Sequence, residues 1–216
     1  MSPAAKFNAL LASATVFLMF LLVAYIAPKL EVAGLNCPLL LSIAALITSG
    51  GLYSLLALIL RWLMGRCDFV RRLVLGAHYM HGTWVGWFEG HSKEHRYMVE
   101  HFIQDLDTLT ITGRSFTETR KEHGFWESES ATIDARKGRL VFTYKFDVLT
   151  QSSSLTGIHT SFFERQSVYK PPTRIAGFAH DLNDNTRIAI HSQKLSDRLV
   201  PWEEALDSTI KMFSKR

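Results

Sequence analysis

Charge is nearly missing from the first quarter of this 216-residue sequence, and that shortage excludes more than any residue present. Between Lys6 and Lys29 there are 22 residues without Asp, Glu, Lys or Arg, and between Glu31 and Arg61 there are 29 more. A chain carrying two such runs is neither fully soluble nor disordered. Cysteine is also scarce. Cys37 and Cys67 make no disulfide framework and lack metal-ligand spacing. None of the HExxH, CxxC, GxSxG, Walker-type or Rossmann-type glycine patterns occurs, so no familiar catalytic, metal or cofactor signature is present. From Arg61 onward there are 22 basic and 19 acidic residues, a balance too even for a domain that binds a DNA or RNA polymer.

The charge-free runs are the first things to explain. Residues 7–27 and 39–60 are each long enough, at roughly 20 residues, to cross a bilayer as a helix. Pro28 and Pro38 bracket the link between them, which predicts a transmembrane hairpin over residues 1–62. The first run is long for a cleaved export signal and lacks a small-x-small cleavage site. Arg61, Arg66, Arg71 and Arg72 cluster after the second run, and residues 63–77 read as a basic linker. By the positive-inside rule this cluster stays in the cytoplasm, with both termini on the same side. Gly50 and Gly51, with Ala44, Ala45, Ser49 and Ser54, are small enough to let helices approach closely, within the hairpin or between copies.

Past Leu75 the pattern changes to alternation with turns. Eight strands are expected, over 79–89, 95–104, 108–115, 125–133, 139–147, 155–164, 173–180 and 186–194. Residues 139–147 are the clearest: Leu140, Phe142, Tyr144 and Phe146 fall on one face, and Thr143, Lys145 and Asp147 on the other. Eight short strands with short links predict an antiparallel meander closed into a small barrel over 78–195, since closure removes both sheet edges. Such an interior is either filled or holds one small ligand. The tail, 196–216, reads as an amphipathic helix with Trp202, Leu206, Ile210 and Phe213 on the face packed against the barrel.

The nine histidines show no ligand spacing and read as ordinary polar positions, so no catalytic residue, metal or cofactor is assigned. Binding is better supported. A nucleotide needs flat rings for its bases and Arg or hydroxyl donors for its phosphates. Trp126 and Tyr144 supply rings, Ser128 a hydroxyl, and Arg114 and Arg174 the charge. Alternation puts Trp126, Ser128, Ser130 and Thr132 on one face.

The whole arrangement resembles one bacterial family, the two-transmembrane, β-strand-rich effectors associated with CD-NTase enzymes in CBASS antiphage defence. The likeness is carried by the two charge-free runs, by Gly82-Thr83-Trp84-Val85-Gly86-Trp87, by Arg174-Ile175-Ala176-Gly177-Phe178 and by Arg187-Ile188-Ala189-Ile190. It implies a cytosolic barrel that binds a cyclic dinucleotide made by a partner CD-NTase. Binding would drive homo-oligomerisation and disruption of the bacterial inner membrane. Gly82-Thr83-Trp84 at the start of an eight-stranded barrel also matches the short glycine-x-tryptophan signature of lipocalin-like carriers, so a membrane-tethered carrier of a small apolar ligand is the alternative. A scaffold with a solid interior is the third possibility.

Overall fold

The computed structural model describes residues 2–32, 38–90, 93–149, 153–183 and 185–214. Cys37, the middle of the predicted link, Lys215 and Arg216 lie outside them. The chain divides into two compact units, Met1–Val74 and Leu75–Arg216.

The first unit is helical. Helix α1 spans Pro3–Val32 and α2 spans Pro38–Arg66. Both are long and apolar enough to cross a membrane, with mean hydropathies of 2.4 over Pro3–Ile26 and 2.1 over Ser42–Arg66. Much of their apolar surface faces outward: Phe17, Phe20, Leu46 and Ile47 are each exposed, while Phe7, Leu11 and Met64 are buried. Such a surface is stable in hydrocarbon and costly in water. The expected break at Pro28 does not occur. α1 runs through it to Val32, although the proline removes the N–H that would bond the Ala24 carbonyl. The two helices touch, and the Tyr53 hydroxyl donates to Asn8 Oδ1 at 3.3 Å.

The predicted basic linker is a second correction. α2 continues to Arg66 and a short helix α3 covers Asp68–Leu75. Arg71 holds the corner between them: Nε donates to the Met64 carbonyl at 3.0 Å, Nη2 to that of Gly65 at 3.2 Å, and Nη1 reaches Asp68 at 3.0 Å. It thereby satisfies carbonyls that the end of α2 leaves without helical partners.

The second unit is a closed antiparallel barrel in which each strand pairs with the next and β8 returns to β1. Its strands are β1 (Gly82–Glu89), β2 (His95–Gln104), β3 (Leu109–Thr117), β4 (Glu122–Asp134), β5 (Arg139–Val148), β6 (Ser153–Glu164), β7 (Arg174–Asp181) and β8 (Arg187–Ser196). Turn chemistry follows the sequence. Asp105 Oδ1 accepts from the amides of Asp107 and Thr108, and Gly138 takes φ +65° between β4 and β5. Gly82 adopts φ +126°, with the Ser196 carbonyl 2.1 Å from where a Cβ would sit, so only glycine fits where β1 meets the end of β8.

One end of the barrel is plugged. Met80, Trp84, Phe102, Ile111 and Leu140 are fully buried in one cluster, and each such side chain contributes roughly 1.5–3 kcal/mol by leaving water. Gln104 ties down the entering chain: its Oε1 accepts from Met80 N at 2.7 Å and its Nε2 donates to His78 O at 2.8 Å. The Trp84 indole donates to Met80 O at 2.8 Å. Outside the barrel, helix α4 (Trp202–Phe213) packs on Val85, Tyr97, Val99 and Phe116 through Leu206, with Trp202, Ile210 and Phe213 beside it.

Toward the other end, glycines face rings. A Cβ on Gly113 would lie 2.1 Å from the Trp126 ring, and one on Gly157 would lie 2.3 Å from the Tyr144 hydroxyl. The rings therefore lie along the wall in space that only glycine leaves free. Gly113→Ala is expected to lower stability by about 1–3 kcal/mol, the usual cost of overpacking a filled site. Chemical denaturation of the detergent-solubilised chain measures it. An unchanged midpoint would mean that the ring relocates freely.

Candidate functional site

Alternation along the strands decides what the lumen presents. β2 points Arg96, Met98, Glu100 and Phe102 inward, because Met98 and Glu100 line the interior and Phe102 belongs to the plug. β5 points Leu140, Phe142, Tyr144 and Phe146 inward, as the sequence pattern requires. Between the plug and the far end lies a cavity of about 80 Å³, lined chiefly by Met98, Glu100, Trp126, Phe142, Tyr144 and His159. By the measure in which one water needs 10–15 Å³, this is room for about five to eight water-sized groups, close to one six-membered ring with its substituents.

Of the five binding residues expected from sequence, the structure brings Trp126 and Tyr144 together on the cavity wall. Ser128 is half-buried and its hydroxyl is already used, accepting from the Ile111 amide at 2.8 Å. Arg114 does not point inward. Its strand neighbours Gly113 and Ser115 are the buried ones, so its guanidinium lies outside, 4.8 Å from the centre of the Trp202 ring and 3.2 Å from Glu122. Arg174 is exposed on the outer wall, next to inward Ile175, beside Trp87 and His191. Neither arginine is a lumen donor. A bulge between Ser128 and Ser130 shifts the parity of β4, so Ser130 and Thr132 turn outward while Ala131 and Ile133 turn in. Gly50 and Gly51 lie on an open face of α2, where an added methyl meets nothing within 4 Å.

Sequence reasoning missed two charged groups that face inward, Arg96 and Glu100. Arg96 is paired across the ladder with Phe88, a cavity residue, and its side chain is 13% exposed and hydrogen-bonded to Glu94. His123 lies near it, held below the usual histidine range first by burial and then by the Arg96 charge; its ring is 6.2 Å from that of Phe146. These groups mark the end of the lumen away from the plug. Glu100 is 2% exposed and accepts hydrogen bonds from Trp126 and from Ser192 Oγ, the latter at 3.4 Å. The period-two register of Arg96, Met98, Glu100 and Phe102 was the signal available for both.

Two buried titratable groups line the cavity, and among the described residues no charged side chain shifts either of them. Burial pushes the Glu100 carboxyl up to about 7, and the two donors only partly offset it. Burial pushes His159 down to about 3; its ring stacks on Phe142 at 4.5 Å and hydrogen-bonds Ser161. Among the described residues, no group of three or more His, Cys, Asp or Glu side chains is placed to hold a metal ion.

No protein-family model, curated protein or solved structure matches this chain. The chain is an apolar helical pair followed by a closed, up-and-down eight-stranded barrel with an aromatic lumen.

The two buried groups give opposite pH responses. Glu100 keeps a proton that the unfolded chain loses, so its contribution to stability falls as pH rises from about 4.5 to about 7. His159 stays neutral where the unfolded chain protonates, so its contribution falls as pH drops from 6.5 to about 3. Between about pH 4.5 and 6.5 the slopes oppose, which predicts a flat stability profile. Glu100→Gln should uncover the histidine slope, with stability declining steadily below pH 6.5 in denaturant titrations. A flat profile in that variant would show that His159 is not the opposing group.

Proposed function

We propose that this protein is a membrane-tethered receptor for a cyclic dinucleotide and acts as an effector in CBASS antiphage defence. The observation that carries the proposal is the union, on one inner face, of stacking rings with a cation at the rim: Trp126, Tyr144, Phe142 and Phe146 below, Arg96 above. One base enters the lumen and stacks. The phosphates stay at the rim, where Arg96 exchanges its exposed partner Glu94 for a stronger anion. A cavity of this size takes one ring, so the second base of the ligand remains outside and is available to a neighbouring copy.

The remaining parts fit this role. The apolar helices α1 and α2 anchor the barrel in the bacterial inner membrane, and Arg61, Arg66 and Arg72 favour retention of that flank, and of both termini, in the cytoplasm. Ligand made by a partner CD-NTase shifts the chain toward a homo-oligomer by its preference for that state. The open face at Gly50 and Gly51 lets α2 approach another copy closely, and clustered spans then disrupt the bilayer.

The second reading, a carrier of a small apolar molecule, is favoured by one observation: among the described residues the cavity wall has no Lys or Arg, and burial pushes its single carboxyl toward the neutral form. Calorimetric titration of the full chain in nanodiscs separates the two. Binding of cyclic dinucleotides, weakened about tenfold or more by Arg96→Gln (~1.4 kcal/mol per tenfold) and unchanged by Arg114→Gln, is the expected result. Binding of fatty acids alone would transfer the function to the carrier.

A further inference from the structure

The lumen has a feature that stacking does not use: a carboxyl at mid-depth with all of its protein neighbours donating. Glu100 receives the Trp126 indole N–H and the Ser192 hydroxyl. An ionised carboxylate has about four lone-pair sites and donates nothing. Two sites are occupied from the wall, and Glu100 lines the cavity, so what it offers inward is a pair of adjacent acceptors. Met98, Phe142, Phe146, Ala179 and Ile190 are apolar, and the wall's other polar groups are the Tyr144 phenol and the His159 ring, the latter hydrogen-bonded to Ser161, so the edge of a ring reaching this depth meets chiefly Glu100.

We propose that Glu100 is the specificity-determining residue of the lumen, its carboxylate accepting the two neighbouring N–H donors of a guanine-type edge. The assignment rests on the receptor reading above and names the base that enters. A guanine edge presents N1–H and the 2-amino group side by side, which completes the four hydrogen bonds of the carboxylate. Hypoxanthine lacks the amino donor. Adenine places an acceptor where the carboxylate also accepts, leaving two acceptors opposed in a dry site. Adding donors favours the ionised form, so binding at acidic pH must expel the carboxyl proton.

The other ionisable groups sharing the interior do not duplicate this role. His159 on β6 is buried and hydrogen-bonded to Ser161. Lys194 on β8 sits at the plugged end, 2.8 Å from Asp197 and over the Tyr79 ring. On β7, Asp181 accepts from the Asn183 amide in the turn, and Arg96 on β2 is paired at the rim. The inward groups of β1, β3 and β4 are apolar, glycine, hydroxyl or indole, apart from His123 of β4 at the rim near Arg96, and β5 adds the Tyr144 phenol.

The test compares cyclic di-GMP with cyclic di-IMP, which differ only in the 2-amino groups, against the full chain in nanodiscs by calorimetry. The expected result is a preference for the guanine ligand of at least about tenfold at pH 8, since a site built around a donor rejects the analogue that lacks it. The preference narrows at pH 5.5, where the carboxyl is protonated. Glu100→Gln, which keeps the size but turns one acceptor into a donor, abolishes the preference while retaining the melting transition. Equal affinity of wild type for both ligands, persistence of the preference in Glu100→Gln, or selective binding of cyclic di-AMP would overturn the edge assignment and leave the receptor standing. Absence of binding by all three would overturn both.

Discussion

Volume inside a closed eight-stranded wall is the constraint on which the rest depends. Inward positions of so small a ring compete for one axis, and large side chains at every one would leave no interior space. Here the competition is settled differently at the two ends. The lower end stacks Trp84, Phe102, Ile111 and Leu140 into a solid plug. Further along, Gly113 and Gly157 yield their volume to Trp126 and Tyr144, which lie back against the wall. The cavity is what remains. The same glycines place the Trp126 indole where its N–H meets Glu100, so packing and polarity at mid-depth are set by one substitution pattern.

Electrostatics inside this wall follows from dryness more than from charge pairing. Glu100 and His159 both line the cavity, yet each is shifted toward its neutral form by burial. Charge is kept to the two ends: Lys194 with Asp197 beside the plug, and Arg96 with Glu94 at the rim. From the rim inward the lumen therefore presents a cation, then rings, then a hydrogen-bonding carboxyl.

Most of the fold was legible because its signals are local. Charge-free runs of bilayer length and strict alternation survive without knowledge of tertiary contacts, and all eight expected strands form with edges moved by only a few residues. What failed had a non-local cause. Residues 63–77 looked like a linker because the helix α3 is too short to show a period, and its corner is held by Arg71 reaching back to carbonyls six and seven residues earlier. What faces the lumen is set by register more than by residue type. Arg114 and Arg174 were chosen for their charge, but parity with Gly113 and Ile175 turns them outward. One bulge in β4 reversed Ser130 and Thr132. Arg96 and Glu100 share the register of Met98 and Phe102, which becomes informative once the strand is known to line a closed lumen.

The seam between β1 and β8 has a bearing on biogenesis. Thr83 Oγ1 donates to the carbonyl of Arg198 and accepts from the amide of Val200, more than a hundred residues later in the chain. During translation β1 leaves the ribosome more than a hundred residues before the last segment of the barrel exists. The sheet therefore waits as an open ribbon with an unpaired margin, and it closes only when the final segment arrives.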